Sequence, residues 1–254
     1  MIRVAVIGSA GRMGQAVVEA VKAAKDMELV CGIDPNAHEG GFPVYACLSE
    51  ALEKEGFDVV VDFTQPDVVA ANIKAALAAG KNCVVGTTGV KQETLEELAE
   101  TAVDGACLFY APNFTTGAVL MMEFAKAAAP YFPEAEVIEF HHCNKKDAPS
   151  GTAVRSAQII NEARGFMSGA PGKETEIEGA QGARGSLIEG VPVHSVRSMG
   201  FVATQEVIFG SLGQTLTIRH DSWDRNSYMP GVLLGIRSVL ERTGLIVGLE
   251  NFMR

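Results

Sequence analysis

Hydrophobic positions in the first half of the chain fall into short runs, each followed by a segment of helical spacing. Ile2–Ile7 is nearly all apolar, and residues 11–24 place Met13, Val17, Val18 and Val21 on one helical side. Apolar runs at 29–33, 59–61, 83–85 and 107–110 read as further strands. Helices are predicted at 66–79 and 92–103, the first opened by Pro66 and stopped by Gly80. Short, wholly apolar strands alternating with helices predict a parallel sheet covered on both faces. Right-handed crossovers then make the sheet doubly wound, an α/β fold.

The pattern changes after Asn113. A helix is predicted at 116–129, a strand at 136–142 and a helix at 150–163. Strands follow at 191–196, 201–209 and 214–220, the last two joined by a loop at 210–213. Consecutive strands predict a second, α+β domain with a mixed or antiparallel sheet. Residues 165–190 hold Pro171, seven glycines and no clean period, so a mobile or functional loop is expected there. Residues 229–241 regain helical spacing and are expected to return to the first domain.

Composition narrows the function. The chain has 254 residues, 47% of them hydrophobic, and a net charge of −10. Such a chain folds, and without a Lys/Arg block it is a poor partner for nucleic acid or a membrane surface. The longest apolar candidate, within 116–130, is broken by Glu123 and Lys126, so no membrane span is expected. The chain starts directly on a strand, so no targeting segment is expected. Five cysteines include no C-x-x-C pair, and Cys31, Cys83 and Cys107 sit in strand-like runs. They read as core thiols of a cytoplasmic protein.

The first candidate site is a glycine loop. Gly8, Ser9, Ala10, Gly11, Arg12, Met13 and Gly14 form G-x-x-G-x-x-G between a predicted strand and a predicted helix. That is the context of the Rossmann dinucleotide fingerprint, where glycines let the backbone approach a pyrophosphate at a helix N-terminus. Asp34 ends the second strand, where an acid bonds the adenosine ribose. An ordinary tight turn is the bland alternative. Asp34 repels a 2′-phosphate and Pro35 offers it no cation, which favours NADH over NADPH, although Arg12 keeps both open. Gly86, Thr87, Thr88 and Gly89, with Ala111, Pro112, Asn113 and Phe114, would lie at later strand ends, where ligands bind in open α/β sheets.

The second candidate site is the polar run 139–152. His141 and His142 face opposite ways on an extended strand, and no third ligand has suitable spacing, so no metal is expected. Ser150, Gly151 and Thr152 open a helix whose hydroxyls and amides suit an anion. Imidazole, ammonium and helix N-terminus converge as a carboxylate substrate requires, against the alternative of a solvated charged loop.

Together, V-A-V-I-G-S-A-G-R-M-G at 4–14, D-F-T-Q-P at 62–66, G-T-T-G at 86–89, A-P-N-F at 111–114 and E-F-H-H-C-N-K-K-D-A-P-S-G-T-A at 139–153 resemble the dihydrodipicolinate reductase family. V-H-S-V-R at 193–197, Q-E-V-I-F-G at 205–210, T-I-R-H-D at 217–221 and Y-M-P-G-V at 228–232 extend the resemblance over nearly the whole chain. It implies reduction of 4-hydroxy-tetrahydrodipicolinate to tetrahydrodipicolinate by NADH or NADPH in lysine biosynthesis, by a homotetramer acting on a cyclic dicarboxylate. It implies that His141 exchanges a proton and Lys145 donates one. His142, Ser150, Gly151, Thr152 and Thr88 would contact substrate. Residues 8–13, Asp34, 86–88 and 111–114 would hold the dinucleotide. Residues 1–112 with 222–254 would form the dinucleotide domain, and 113–221 the substrate and oligomerisation domain. Two alternatives remain at this point: another two-domain dehydrogenase, and a non-catalytic dinucleotide sensor, which would have no need of His141 and Lys145.

Overall fold

The computed structural model describes residues 1–36, 41–164 and 179–253. The chain divides into two compact units, Met1–Thr116 with Arg225–Arg254, and Gly117–Asp224.

The first unit runs β1 (Ile2–Ile7), α1 (Arg12–Ala23), β2 (Met27–Ile33), β3 (Val44–Tyr45), α2 (Leu48–Lys54), β4 (Val59–Asp62), α3 (Pro66–Ala78), β5 (Asn82–Val85), α4 (Gln92–Ala99) and β6 (Cys107–Tyr110). The second unit runs α5 (Thr116–Ala128), β7 (Glu134–His141), α6 (Gly151–Arg164), β8 (Ser186–Ile188), β9 (Val191–Arg197), β10 (Ala203–Ser211) and β11 (Gln214–Ser222). The chain then re-enters the first unit with α7 (Met229–Ser238) and β12 (Gly244–Val247).

The first sheet has the order β12-β6-β5-β4-β1-β2-β3, and every pair is parallel. This is the predicted doubly wound sheet. Val4, Ala5 and Val6 have no exposed surface, because helices cover both faces of β1. Strand order reverses between β1 and β4, which marks the switch point where such sheets bind ligands. Cys31, Cys83 and Cys107 are buried, unpaired thiols in β2, β5 and β6.

The second sheet, β11-β10-β7-β9-β8, is mixed: β7 and β9 are parallel and the other pairs antiparallel. Its core packs Val137, Val193, Val207 and Phe209 against Met121, Ala125, Ala153, Ala157 and Ile160 of α5 and α6. Burial alternates along β7, with Ala135, Val137 and Glu139 inside.

Several predicted boundaries shift. The helix expected at 92–103 ends at Ala99, because Val103 N–H donates to Leu77 O and Asp104 and Gly105 turn with positive φ into β6. The loop expected at 210–213 shrinks to Leu212 and Gly213, since Ser211 pairs with Gln214. The region 165–190 is not wholly loop: β8 lies in it and turns into β9 through Glu189 and Gly190, both at positive φ. Residues 165–178 lie outside the described residues. Strands β3 and β12 and helix α2 were not predicted; at two to seven residues they are too short to show a period. Among the described residues no helix is long and apolar enough to cross a membrane.

Gly14 marks where sheet and helix meet most closely. A methyl group there would overlap the carbonyl of Gly8, so α1 sits against the loop only because residue 14 has no side chain. Gly14→Ala is expected to lower the unfolding free energy by about 1–3 kcal/mol in urea titrations; unchanged stability would contradict this packing.

Candidate active site

Loops after β1, β4, β5 and β6 share the carboxyl edge of the first sheet. The backbone ladder runs one step past the strands: Gly8 N donates to Ile33 O at 2.8 Å, Gly86 N to Asp62 O at 2.9 Å and Ala111 N to Val85 O at 3.1 Å. In the glycine loop, Gly11 N closes onto Gly8 O at 3.0 Å. Arg12 and Met13 are the first residues of α1. Asp34 follows β2 directly and braces this loop: its carboxylate accepts from Ala10 N at 3.0 Å and Asn36 N at 2.9 Å.

Asp62, which sequence reading quoted only within D-F-T-Q-P, ties the middle of the edge together. It is 3% exposed and accepts four hydrogen bonds, from Thr64 N, Thr64 Oγ1, Asn72 Nδ2 and Thr87 Oγ1, at 2.6–3.2 Å. Thr87 therefore faces inward, while Thr88 and Gly89 are exposed. Phe63 occupies space that a side chain at residue 86 would fill, and it packs on Phe114 with ring centroids 5.4 Å apart. The Phe114 ring is buried among Phe63 and Phe109, whereas Pro112 is exposed and Asn113 half-buried.

These residues fit a nicotinamide dinucleotide. Ser9 Oγ, in the glycine loop, is buried with no hydrogen-bond partner among the described residues. Its neighbours Gly8, Ala10 and Gly11 add no side chain beyond a methyl group, and α1 presents its N-terminus at the loop. Gly8–Met13 would hold the pyrophosphate and Asp34 the ribose. The loops at 86–88 and 111–114 would flank the nicotinamide.

The second unit builds the other cluster from the end of β7, the start of α6 and the end of β9. Ser150 caps α6, its Oγ accepting from Ala153 N at 3.2 Å; the helix begins at Gly151, one residue later than predicted. A side chain at Gly151 would meet only open space. His141 ends β7 half-buried, and His142 lies just past the strand, exposed. Lys145 Nζ donates to Asp147 Oδ1 at 2.8 Å.

Beneath this surface lies a residue that sequence reading did not single out. Glu139 is fully buried, and Arg197 grips it with Nη2 on Oε1 at 2.7 Å and Nη1 on Oε2 at 2.8 Å. Ser150 N donates to Oε1 at 3.2 Å, and His141 Nδ1 sits hydrogen-bonded against Oε2. Arg197 also donates to Asp147 O at 2.8 Å. The signal was present: Glu139 takes the place of an apolar residue in the alternation Ala135, Val137, Glu139. Its partner could not be found that way, because Arg197 stands 58 residues away.

Burial works to raise the Glu139 carboxyl pKa, but bonds from Arg197, Ser195 and His141 outweigh it and hold the group below the usual carboxylate range. Burial pushes His141 below 6.5, and the carboxylate beside it offsets this only in part. The Lys145 ammonium keeps Asp147 low.

A doubly wound sheet with a glycine-rich loop at its switch point, followed by a unit bearing a cluster of imidazole, ammonium and carboxylate groups, is the plan of a nicotinamide-dependent oxidoreductase. Sequence profiles sharpen that class. The profile for the N-terminus of dihydrodipicolinate reductase matches residues 2–114, and that for its C-terminus matches residues 117–253. The chain is 51% identical to the 4-hydroxy-tetrahydrodipicolinate reductase of Listeria welshimeri, covering 99% of this chain and 100% of that protein. It is 48% identical to the enzyme of the same name from Mycolicibacterium vanbaalenii, covering 99% of each. Its fold is similar to that of a dipicolinate-bound dihydrodipicolinate reductase from Paenisporosarcina sp. TG-14, with a TM-score of 0.91, 42% identity and 99% of each chain covered. The chain belongs to the dihydrodipicolinate reductase family and is an oxidoreductase.

Because the folded pKa of His141 lies below its ordinary 6.5, the unfolded chain holds the extra proton between those two values. The stability of the wild type relative to His141→Gln should therefore be complete above pH 6.5 and fall on acidification. A stability difference that grows between pH 6.5 and 5 would contradict this environment.

Proposed function

We infer that the chain reduces 4-hydroxy-tetrahydrodipicolinate to tetrahydrodipicolinate with a reduced nicotinamide dinucleotide, a step of lysine and diaminopimelate biosynthesis. Family membership supports the reaction. The observation that carries the site is the meeting of imidazole and helix N-terminus on Glu139, with the Lys145 ammonium near enough to act on the imidazole.

The first unit is the dinucleotide domain and the second the substrate domain. When bound, the reduced nicotinamide would supply a hydride for C4 of the ring, the 4-hydroxyl having left as water to give the conjugated double bond that accepts it. Ser150, Gly151 and Thr152, with His142, hold the carboxylates of the cyclic diacid at the N-terminus of α6, where amides and helix dipole favour an anion. Thr88, exposed after β5, is the substrate contact proposed for the first unit. Negative charge builds toward the ring nitrogen as C4 is reduced. Lys145 stabilises that charge and donates the proton, and His141 Nε2 exchanges protons beside it. Lys145 leaves Asp147 to do so, a cheap move because Asp147 is more than half exposed and its ion pair is screened by solvent.

Asp34 favours NADH. Both its oxygens already face the end of β2 and the glycine loop, and Pro35 brings no cation for a 2′-phosphate. Assembly as a homotetramer through the second unit is supported by its exposed apolar residues, with Leu212 99%, Met199 88% and Trp223 80% exposed. The buried free thiols support a cytoplasmic enzyme.

Two experiments test this reading. Lys145→Ala is expected to lower kcat roughly 10²–10⁴-fold in an assay with freshly condensed pyruvate and aspartate semialdehyde, with NADH binding unchanged; near-normal turnover would remove Lys145 from the mechanism. In the same assay NADH should match or exceed NADPH in kcat/KM. A preference of about tenfold or more for NADPH, worth about 1.4 kcal/mol, would overturn the role given to Asp34 and Pro35.

A further inference from the structure

We propose that Glu139 is the positioning residue of the acid–base pair: held by Arg197, it fixes the His141 ring with its proton on Nδ1 and, through the Ser150 amide, sets the start of α6 in the same frame. This rests on the reading that His141 and Lys145 carry the proton chemistry.

The argument is one of acceptors. Oε2 of Glu139 receives His141 Nδ1 and Arg197 Nη1; Oε1 receives Ser150 N and Arg197 Nη2. Ser195, its neighbour in register on β9, bonds the same carboxylate. Guanidinium and amide nitrogens only donate, and an ionised carboxylate only accepts. Only the imidazole or the serine hydroxyl could receive a proton from the carboxyl, and the guanidinium and amide bonds hold the group below the usual carboxylate range, so Glu139 stays ionised. An ionised Glu139 then requires His141 to donate from Nδ1, which leaves the Nε2 lone pair for the substrate side.

The charged groups facing His141 are Glu139 on its own strand, Arg197 on β9, and Lys145 and Asp147 on the following loop. Arg197 and Lys145 disfavour a charged imidazole, as burial does. At neutral pH the ring is therefore neutral and its single N–H is spoken for. When Nε2 takes a proton, the Glu139 charge is already in place beside the imidazolium, and no solvent has to reorganise. The same carboxylate holds Ser150, the cap of the helix that faces the diacid. Proton exchange and carboxylate binding thus share one buried anchor.

Glu139→Gln discriminates, because an amide cannot accept on both sides. Its NH2 meets an Arg197 N–H on either side; toward Ser150 it faces a second donor that cannot change, and toward His141 a ring that can reverse its tautomer. The expected result is a switch of His141 from the Nδ1–H to the Nε2–H form, read from two-bond ¹⁵N–¹H correlations of histidine-labelled enzyme. kcat should fall roughly 10²–10³-fold while NADH affinity stays within about twofold. Glu139→Asp keeps the charge, and should keep Nδ1–H and recover at least about tenfold of the lost kcat.

The proposal is overturned by E139Q enzyme that retains Nδ1–H, or that turns over within about threefold of wild type. If E139Q does not fold, E139D decides alone: Nε2–H in that variant overturns the proposal and Nδ1–H supports it. His141→Asn separates the two layers. Near-wild-type turnover in H141N would overturn the reading of the site, whereas slow H141N beside fast, tautomer-unchanged E139Q would overturn only the role of Glu139.

Discussion

A carboxylate without solvent contact cannot stay charged unless donors surround it, and Glu139 is surrounded. Two guanidinium bonds, an imidazole, a helix-capping amide and a neighbouring serine converge on it. Breaking such a pair by removing one partner leaves a buried charge alone, which costs roughly 3–5 kcal/mol. The ends of β7 and β9 and the first turn of α6 are therefore locked to one another. Most residues from His142 to Ala148 can be exposed because their frame is set from below. A loop proposed to meet a diacid in water needs such a frame, since its own side chains supply little packing.

The first unit solves a different problem by the same means. Its ligand edge is a row of loops rich in small residues, and small residues alone do not hold a shape. Asp62 supplies the rigidity by gathering Thr64, Asn72 and Thr87, and Asp34 joins the glycine loop to the end of β2. Phe63 fills the space that glycine at 86 leaves open, and Phe114 packs on its ring. A net charge of −10 looks hostile to a dinucleotide and a diacid alike. The answer is local: Asp62 and Glu139, the buried acids among the described residues, are turned inward. They are consumed internally by donors, while backbone amides and helix N-termini supply the local positive potential that anions meet.

Much of this was legible in the sequence for physical reasons. Parallel strands buried on both faces are wholly apolar, so β1, β4, β5 and β6 stood out, and the glycine loop followed directly from β1. His141, Lys145 and Ser150 were visible because polar residues crowd there. Short elements such as β3 and β12 carry too few residues for a period. Arg197 was visible as a motif residue, but its bond to Glu139 depends on β7 and β9 lying side by side in parallel, a pairing between segments separated by the whole of α6. Glu139 itself broke an apolar alternation, and a charge on the buried face of a strand is the mark of a partner elsewhere in the chain.

The central claim is that the buried carboxylate acts on kcat through His141, its hold on Ser150 and α6 being felt in KM. The direct measure is a double-mutant cycle on kcat with E139Q, His141→Gln and the double variant. If Glu139 acts through the ring, its removal costs nothing further once the ring is gone, and the double variant turns over like His141→Gln alone. Two losses that multiply in the double variant would show separate roles and contradict the account.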